Sequence, residues 1–195
     1  MLIRTMARIV HKNAVEHGWW EDGRDIYEVV ALIHSEWSEA LEEARAGRPM
    51  VYKLDMGGDE VGFAVPGDGV YDTLTNKPEG IAVELIDGCI RILDFFGAIG
   101  VSFTGDDGQE AELESLTEFD DVNDELPEEL PTLVALLHGF TSEVIQNEED
   151  DYSGLTGALA LALSWVKAAG YDPMEVMMEK HRYNVGRPYK HGKKF

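Results

Sequence analysis

The sequence predicts an all-α helical bundle, and three observations support this fold class. Six segments space their apolar residues three and four positions apart, which is the period of a helix that buries one face. Glycine or proline stands at or near the ends of several of these segments, where helices commonly start or stop. Only residues 50–76, rich in Gly and Asp, alternate apolar and polar positions as a short hairpin or an ordered loop would.

The predicted helices are bounded by recognisable residues. The first should end at Gly18, and Gly47 should stop the second. The third is expected to begin at Pro78, because proline is favoured at the first helical position. The last follows Asp172-Pro173, a capping residue and a proline in the same arrangement. The predicted spans are 1–17, 25–46, 78–100, 128–147, 153–169 and 173 to about 186.

Two of these helices resemble each other in sequence. VALIHSEWSEALEE (30–43) aligns without gaps with VALLHGFTSEVIQN (134–147), and this pairs His34 with His138. The helices that follow also match loosely, which suggests a duplicated helical hairpin. The second copy has Phe140 where the first has Glu36, so it would keep the packing and lose the charge. A chance likeness between two amphipathic helices is the alternative. Both histidines are expected to be hydrogen-bonded helix residues and not metal ligands.

The charge of the chain is strongly negative and unevenly distributed. Its 16 Lys and Arg against 38 Asp and Glu give a net charge of −22, which argues against binding to nucleic-acid polymers or anionic membranes. The acidic residues are dense in 105–129, which overlaps an acidic linker predicted over 102–127. In contrast, 180–195 holds basic residues and no acid. A basic tail on such a chain could bind a small anionic ligand or pair with the acidic stretch.

The sequence gives no sign of secretion or membrane insertion. The first ten residues contain Arg4 and Arg8 and no unbroken apolar run, unlike a signal peptide. No stretch of about 18 apolar residues occurs. Cys89 is the only cysteine and lies in an apolar run, where a buried thiol is expected. These features favour the cytoplasm.

Two pairs of carboxylates lie on predicted helices. Glu36 and Glu39 are spaced i, i+3, which places both on one face. Glu84 and Asp87 have the same spacing in the nearly apolar segment GIAVELIDGCIRILDFFGAIG (80–100). Arg91 and Asp94 continue that stripe, so all four ionisable groups of the third helix share one face. Buried carboxylates must be paired or bind metal, and a structural ion-pair network through Arg91 is the alternative to a metal site.

Together the two pairs predict a site for a hard cation. Two helices that offer Glu-x-x-Glu and Glu-x-x-Asp can bring four carboxylates to one place, and oxygen ligands suit Mg²⁺, with Mn²⁺ as a possible substitute. We therefore expect Glu36, Glu39, Glu84 and Asp87 to bind the metal, and Arg91 and Asp94 to support them. Removing Asp87 should then preserve or raise the stability of the fold, because it would relieve repulsion between like charges.

These motifs resemble the all-α nucleotide pyrophosphohydrolases, which include the MazG-like proteins and the dimeric dUTPases. The resemblance covers HKNAVEHGWW (11–20), LIHSEWSEALEEARAG (32–47) with KPEGIAVELIDGCIRILD (77–94), and the C-terminal EKHRYNVGRPYKHGKKF (179–195). It implies one MazG-like domain over 1–195, with a loop insertion at 50–76, an inserted linker and hairpin at 102–172, and a final helix and basic tail at 173–195. It also implies a homodimer or homotetramer. The implied reaction is hydrolysis of a nucleoside triphosphate to the monophosphate and pyrophosphate.

The resemblance also suggests roles for individual residues. Glu39 is the expected acceptor of the proton from the attacking water. Trp20 could contact the base, although core packing would explain it as well. A non-hydrolytic nucleotide or metal sensor and a purely structural helical interaction protein are the alternatives to an enzyme. The residues expected to bind the substrate are Asn13, Trp20, Arg24, Lys180, Asn184, Arg187, Tyr189 and Lys190, of which Lys180, Asn184 and Arg187 should share a helix face.

Overall fold

The described residues of a computed structural model, 1–54, 60–63, 76–101, 111–112, 126–146 and 151–192, form six α-helices and a small sheet. The predicted all-α bundle is therefore confirmed, with three short strands added to it. The helices are α1 (Ile3–Glu16), α2 (Ile26–Arg45), α3 (Ile81–Ile99), α4 (Leu130–Glu143), α5 (Ser153–Ala168) and α6 (Pro173–Val185). A 3₁₀ turn spans Tyr189–Gly192.

The nearly apolar α3 is the central helix of the bundle. It packs against α1, α2, α5 and α6, and this explains why apolar side chains surround it on most sides. Trp37 of α2 lies directly on Gly88 of α3, where an added Cβ would stand 2.2 Å from the indole ring. This close approach brings the carboxylate-bearing faces of α2 and α3 together. Cys89 is fully buried beside it, as predicted.

The sheet comes from the region predicted as a hairpin or loop and from the residues before α3. Its strands are β1 (Tyr52–Leu54), β2 (Glu60–Phe63) and β3 (Lys77–Glu79), in the order β2-β1-β3, with both pairs antiparallel. The β1–β2 pair confirms the hairpin alternative. Residues 55–59 and 64–75, and most of the predicted acidic linker, lie outside the described part of the chain.

The predicted start of the third helix at Pro78 is wrong. Pro78 pairs with Lys53 in the edge strand β3, a position that tolerates a residue without an N–H group. The helix begins after Gly80, whose φ of +116° favours glycine and whose added Cβ would meet the Met50 carbonyl oxygen at 2.7 Å. The Ala82 N–H then donates to that carbonyl at 2.9 Å, which satisfies a free helix N-terminus.

The other predicted helix boundaries agree with the structure to within a few residues. Asp25 and Asp172 accept hydrogen bonds from the first turns of α2 and α6, as expected of capping residues. Gly18 and Gly100, after α1 and α3, have positive φ values of 79° and 70°. In the described part of the chain, no helix is both long enough and apolar enough to cross a membrane.

Candidate functional site

Three of the four predicted metal-binding carboxylates converge between α2 and α3. One oxygen atom each from Glu36, Glu39 and Glu84 lies within 4.8 Å of the other two. Glu36 and Glu84 are 5% and 4% exposed, whereas Glu39 faces solvent. The cluster thus has two candidate ligands that are buried in the bundle and one that is exposed at its surface. These three residues are called the carboxylate cluster below.

Asp87 lies outside this cluster and forms an ion pair with the last helix. Its Oδ2 is 2.8 Å from the Nζ atom of Lys180, which also donates to the Pro78 carbonyl oxygen at 3.2 Å. Burial alone would lower the pKa of Lys180, but Asp87, Glu84 and Glu79 raise it above its ordinary value. The role of Asp87 as a fourth ligand stays a prediction.

This ion pair changes the effect that we expect from removing Asp87. Lys180 is only 2% exposed, so loss of Asp87 would leave a buried ammonium group without its nearest counter-charge. Such a change destabilises a protein, whereas like-charge relief alone would have stabilised it. The expected common face of Lys180, Asn184 and Arg187 is also wrong, because α6 ends at Val185 and Arg187 lies beyond it.

Glu36 is paired as well, with Arg91 of α3. The Nε atom of Arg91 lies 2.5 Å from a carboxylate oxygen of Glu36. Burial raises the pKa of Glu36, and Asp87 and Glu39 add to this, so that it stays above its ordinary value despite Arg91. Burial, more than the nearby charges, therefore sets the direction of this shift.

Glu84 carries the largest shift in the cluster. Burial raises its pKa to about 9; Lys180 opposes the shift, while Asp87 and a hydrogen bond with Glu79 add to it. For Glu79, burial acts upward as well, but the hydrogen bond from Glu84, Lys180 and Lys77 together lower its pKa. Burial and the neighbouring carboxylates therefore favour the protonated form of Glu84.

Sequence reasoning missed Glu79, which belongs to β3 and not to the helix that carries Glu84. No helical or strand spacing relates two residues five apart, so the contact depends on the turn at Gly80. The KPEG sequence fits a helix start as well as a strand, so the sequence alone does not place this glutamate.

The donor set of the cluster fits a hard divalent cation. All its donors are carboxylate oxygens, two of the three residues are buried, and Glu84 retains a proton that a cation would replace. In the described part of the chain, Glu39 and Glu84 form no salt bridge with Lys or Arg. The cluster can thus accept further positive charge.

An open cleft lies beside the cluster. Glu36 and Asp87 form part of its wall, and Trp19 adds an aromatic surface. The cleft gathers most residues predicted to bind or support a substrate. Those that line it are Asn13, Arg24, Arg91, Asp94, Asn184 and Arg187.

Two amide side chains of the cleft have unused hydrogen-bonding capacity. The Oδ1 atoms of Asn13 and Asn184 are buried and have no partner in the described part of the chain. Buried polar atoms of this kind cost free energy unless a ligand or water satisfies them. Arg24 lies beside them, with its guanidinium carbon 5.2 Å and 5.8 Å from the ring centroids of Trp19 and Trp20. The cleft therefore combines cationic, amide and aromatic groups.

Trp20 is hydrogen-bonded to Asp94, which lines the cleft. The Trp20 Nε1–H group donates to Asp94 at 3.0 Å, and the Nδ1 atom of His11 lies 2.8 Å from the same carboxylate. His11 was not among the predicted site residues. Because the indole N–H is engaged, any base contact by Trp20 would have to use its ring. Trp19, and not Trp20, lines the main cleft.

Two predicted substrate residues of the tail lie away from the cleft. The Tyr189 hydroxyl donates to Glu21, and the Nζ atom of Lys190 is 3.5 Å from Asp22. Both acids belong to the turn between α1 and α2. The structure thus places Tyr189 and Lys190 against that turn, and residues 193–195 lie outside the described part of the chain.

The two helical hairpins that resemble each other in sequence meet through equivalent positions. His34 and His138 approach to 2.6 Å between their Nδ1 atoms, and the Trp37 Nε1–H group donates to Thr141 at 2.9 Å. Both contacts join residues 104 positions apart, which is also the offset in the alignment of 30–43 with 134–147. Burial lowers the pKa of both histidines. The histidines are hydrogen-bonded helix residues, as predicted.

Comparisons of this chain with protein-family models, with curated protein sequences and with solved structures found no match.

Proposed function

We propose that this chain is a Mg²⁺-dependent nucleotide pyrophosphohydrolase of the MazG-like kind, which converts a ribonucleoside or deoxyribonucleoside triphosphate to the monophosphate and pyrophosphate. One observation carries the proposal: an all-oxygen carboxylate cluster, with two of its three members buried, borders a cleft lined by three arginines. Acidic groups alone would repel a triphosphate, and arginines alone would only bind it. Their juxtaposition is typical of sites where a divalent cation joins a phosphate chain to the protein.

The proposed reaction breaks one phosphoanhydride bond. A water oxygen attacks the α-phosphorus, the bond from that phosphorus to the α–β bridging oxygen breaks, and pyrophosphate leaves. When bound by Glu36, Glu39, Glu84 and Asp87, Mg²⁺ (or Mn²⁺) would polarise a phosphoryl oxygen and lower the pKa of water. Glu39 is suited to accept the proton of the attacking water because it is the exposed member of the cluster.

The residues of the cleft have complementary roles in this proposal. Arg24, Arg91 and Arg187 offset the charge of the triphosphate, and forked guanidinium groups suit phosphate oxygens. Asn13 and Asn184 supply hydrogen bonds to the base or the sugar, since their amide oxygens have no other partner in the described part of the chain. The cleft thereby provides an anion-binding part and a neutral polar part.

A structural role is the second candidate, and two observed ion pairs favour it. Arg91 with Glu36 and Lys180 with Asp87 are the pairs that a charge network without metal would require. Such a network does not account for Glu39 and Glu84, which have no Lys or Arg in salt-bridge contact in the described part of the chain. It also leaves the amide oxygens of the cleft unused.

The proposal extends to assembly and location. We expect a homodimer or a homotetramer, and favour the dimer because α4 and α5 pack on α2 and α3 as a partner hairpin would. The substrate is a free nucleotide and not a nucleic-acid polymer, in keeping with the net charge of −22. A cytoplasmic location would give access to nucleotides and suits a chain with a single cysteine.

The test is a screen of nucleoside triphosphates with purified protein, Mg²⁺ and detection of released pyrophosphate. Activity should disappear with EDTA and return with Mg²⁺ or Mn²⁺, because all proposed ligands are oxygens. Calorimetric binding of the same nucleotides distinguishes an enzyme from a sensor, which would bind without releasing pyrophosphate. Full activity in EDTA, or neither binding nor release for any nucleotide, would refute the proposal.

A further inference from the structure

The segment after α6 lies across the turn that joins α1 to α2. Residues 186–190, here called the strap, leave the end of α6 and run toward Gly18 and Glu21. The Lys190 N–H group donates to the His17 carbonyl oxygen at 3.0 Å, and the Tyr189 hydroxyl donates to Glu21. Arg187, at the start of the strap, lines the cleft.

His17 joins the strap to the helix that carries Asn13. Its Nδ1 atom is 2.8 Å from the Asn13 carbonyl oxygen, and its Nε2 atom is 2.9 Å from the Arg187 carbonyl oxygen. The ring thus spans the gap between two residues whose side chains line the cleft. Holding the Arg187 backbone at this point restricts where its guanidinium group can reach.

Two backbone features show that the strap is closely fitted to the turn. Gly18 has a φ of +79°, and a Cβ added there would stand 2.3 Å from the ring of Tyr189. Lys190 has a φ of +45°, an unusual conformation for a residue other than glycine, and it persists only where surrounding contacts fix it. A side chain at position 18 would therefore strain the turn and push away the Tyr189 ring, which makes the contact with Glu21.

We propose that His17 and Gly18 are positioning residues, which dock the strap and hold Arg187 over the cleft before the substrate arrives. The inference rests on the proposed function for its statement that the cleft takes a polyphosphate. Its physical basis is preorganisation, because a fixed guanidinium loses less conformational freedom on binding a phosphate than a free one. This role explains His17 and Gly18 of the EHGWW sequence, which take no part in the carboxylate cluster.

The experiment compares His17→Ala and Gly18→Ala with Glu16→Gln, a matched control on the exposed end of α1. Hydrogen exchange at the Lys190 amide reports docking of the strap directly. Binding of inorganic tripolyphosphate with Mg²⁺ reports the cleft, and KM and kcat report catalysis. Both test variants should speed exchange at Lys190 about tenfold and raise the Kd and KM about five- to tenfold, with kcat changed less than about threefold.

Hydrogen exchange and tripolyphosphate binding decide the inference without depending on hydrolysis, and the kinetic constants add a separate check. Faster exchange and weaker tripolyphosphate binding in both test variants would support it even if no nucleotide is cleaved. Unchanged exchange at Lys190, or unchanged tripolyphosphate affinity despite a released strap, would overturn it. A fall in kcat at constant KM, in step with a lower melting temperature, would also overturn it, since that pattern indicates a purely structural residue. Glu16→Gln should match the wild type throughout.

Discussion

Replacement of Lys180 by Met removes the cation that lies closest to Asp87 and is buried among the site carboxylates. Its ammonium group is 2.8 Å from Asp87, and its side chain is 3% exposed. Breaking a buried pair by removing one partner costs about 3–5 kcal/mol. For a chain of this length each kcal/mol lowers the melting temperature by about 2–4 °C, so Lys180→Met should melt roughly 6–20 °C lower in EDTA.

The assay is urea unfolding followed by tryptophan fluorescence, with thermal melts alongside. Lys12→Met is the control, because its pair with Glu16 is 3.7 Å long and the two side chains are 77% and 60% exposed; it should change stability by less than about 1 kcal/mol. Adding Mg²⁺ should recover part of the loss in Lys180→Met, since a bound cation replaces the missing charge. Replacing Asp87 by Leu in the same chain should recover part as well. A Lys180→Met variant as stable as the wild type in EDTA would refute the reasoning.

Two further predictions concern the hairpins. Glu39→Gln should reduce pyrophosphate release by several orders of magnitude, whereas Glu143→Gln, at the aligned position of the second hairpin, should leave it nearly unchanged. The reason is that only the first hairpin has the full carboxylate set. Equal losses would mean that both hairpins contribute to a site. The lowered pKa of His138, caused by burial, should make stability fall as the pH drops below about 6.5, because the unfolded chain then binds a proton that the folded chain does not. Urea unfolding at pH 7.5 and 5.5 should show a smaller acid loss in His138→Gln than in the wild type, and equal losses would count against this assignment.

The fold was predictable from the sequence where local signals were strong. Helix periodicity and the caps at Asp25 and Asp172 depend on residues close in the chain, so they could be read directly. The start of α3 could not, because two compatible structures exist for KPEG. Pro78 suits the first turn of a helix and also an edge strand, and the choice depends on pairing with β1, some 25 residues earlier in the chain.

The candidate site divides in the same way. Helical spacing was enough to place Glu36, Glu39 and Glu84 together, because α2 and α3 are neighbours and each pair occupies one face. Helical spacing could not show that Lys180 forms an ion pair with Asp87. A basic residue in a tail can serve a ligand or a structural ion pair, and only the packing of α6 against α3 separates the two.

The sequence similarity between the two hairpins helps to explain why only the first carries the carboxylate cluster. At the α2–α4 contact, His34 with His138 and Trp37 with Thr141 join equivalent positions, the pattern that two copies of a hairpin give about a two-fold axis. Glu36 is the position at which the copies differ most in chemistry, since Phe140 stands there in α4. A carboxylate at 140 would cost free energy, because α5 has Ala158 and Leu161 at the positions of Glu84 and Asp87 and so offers no acids to share a cation. If the hairpins arose by duplication and the proposed function holds, a second hairpin that keeps its packing surface without binding a metal should lack this charge.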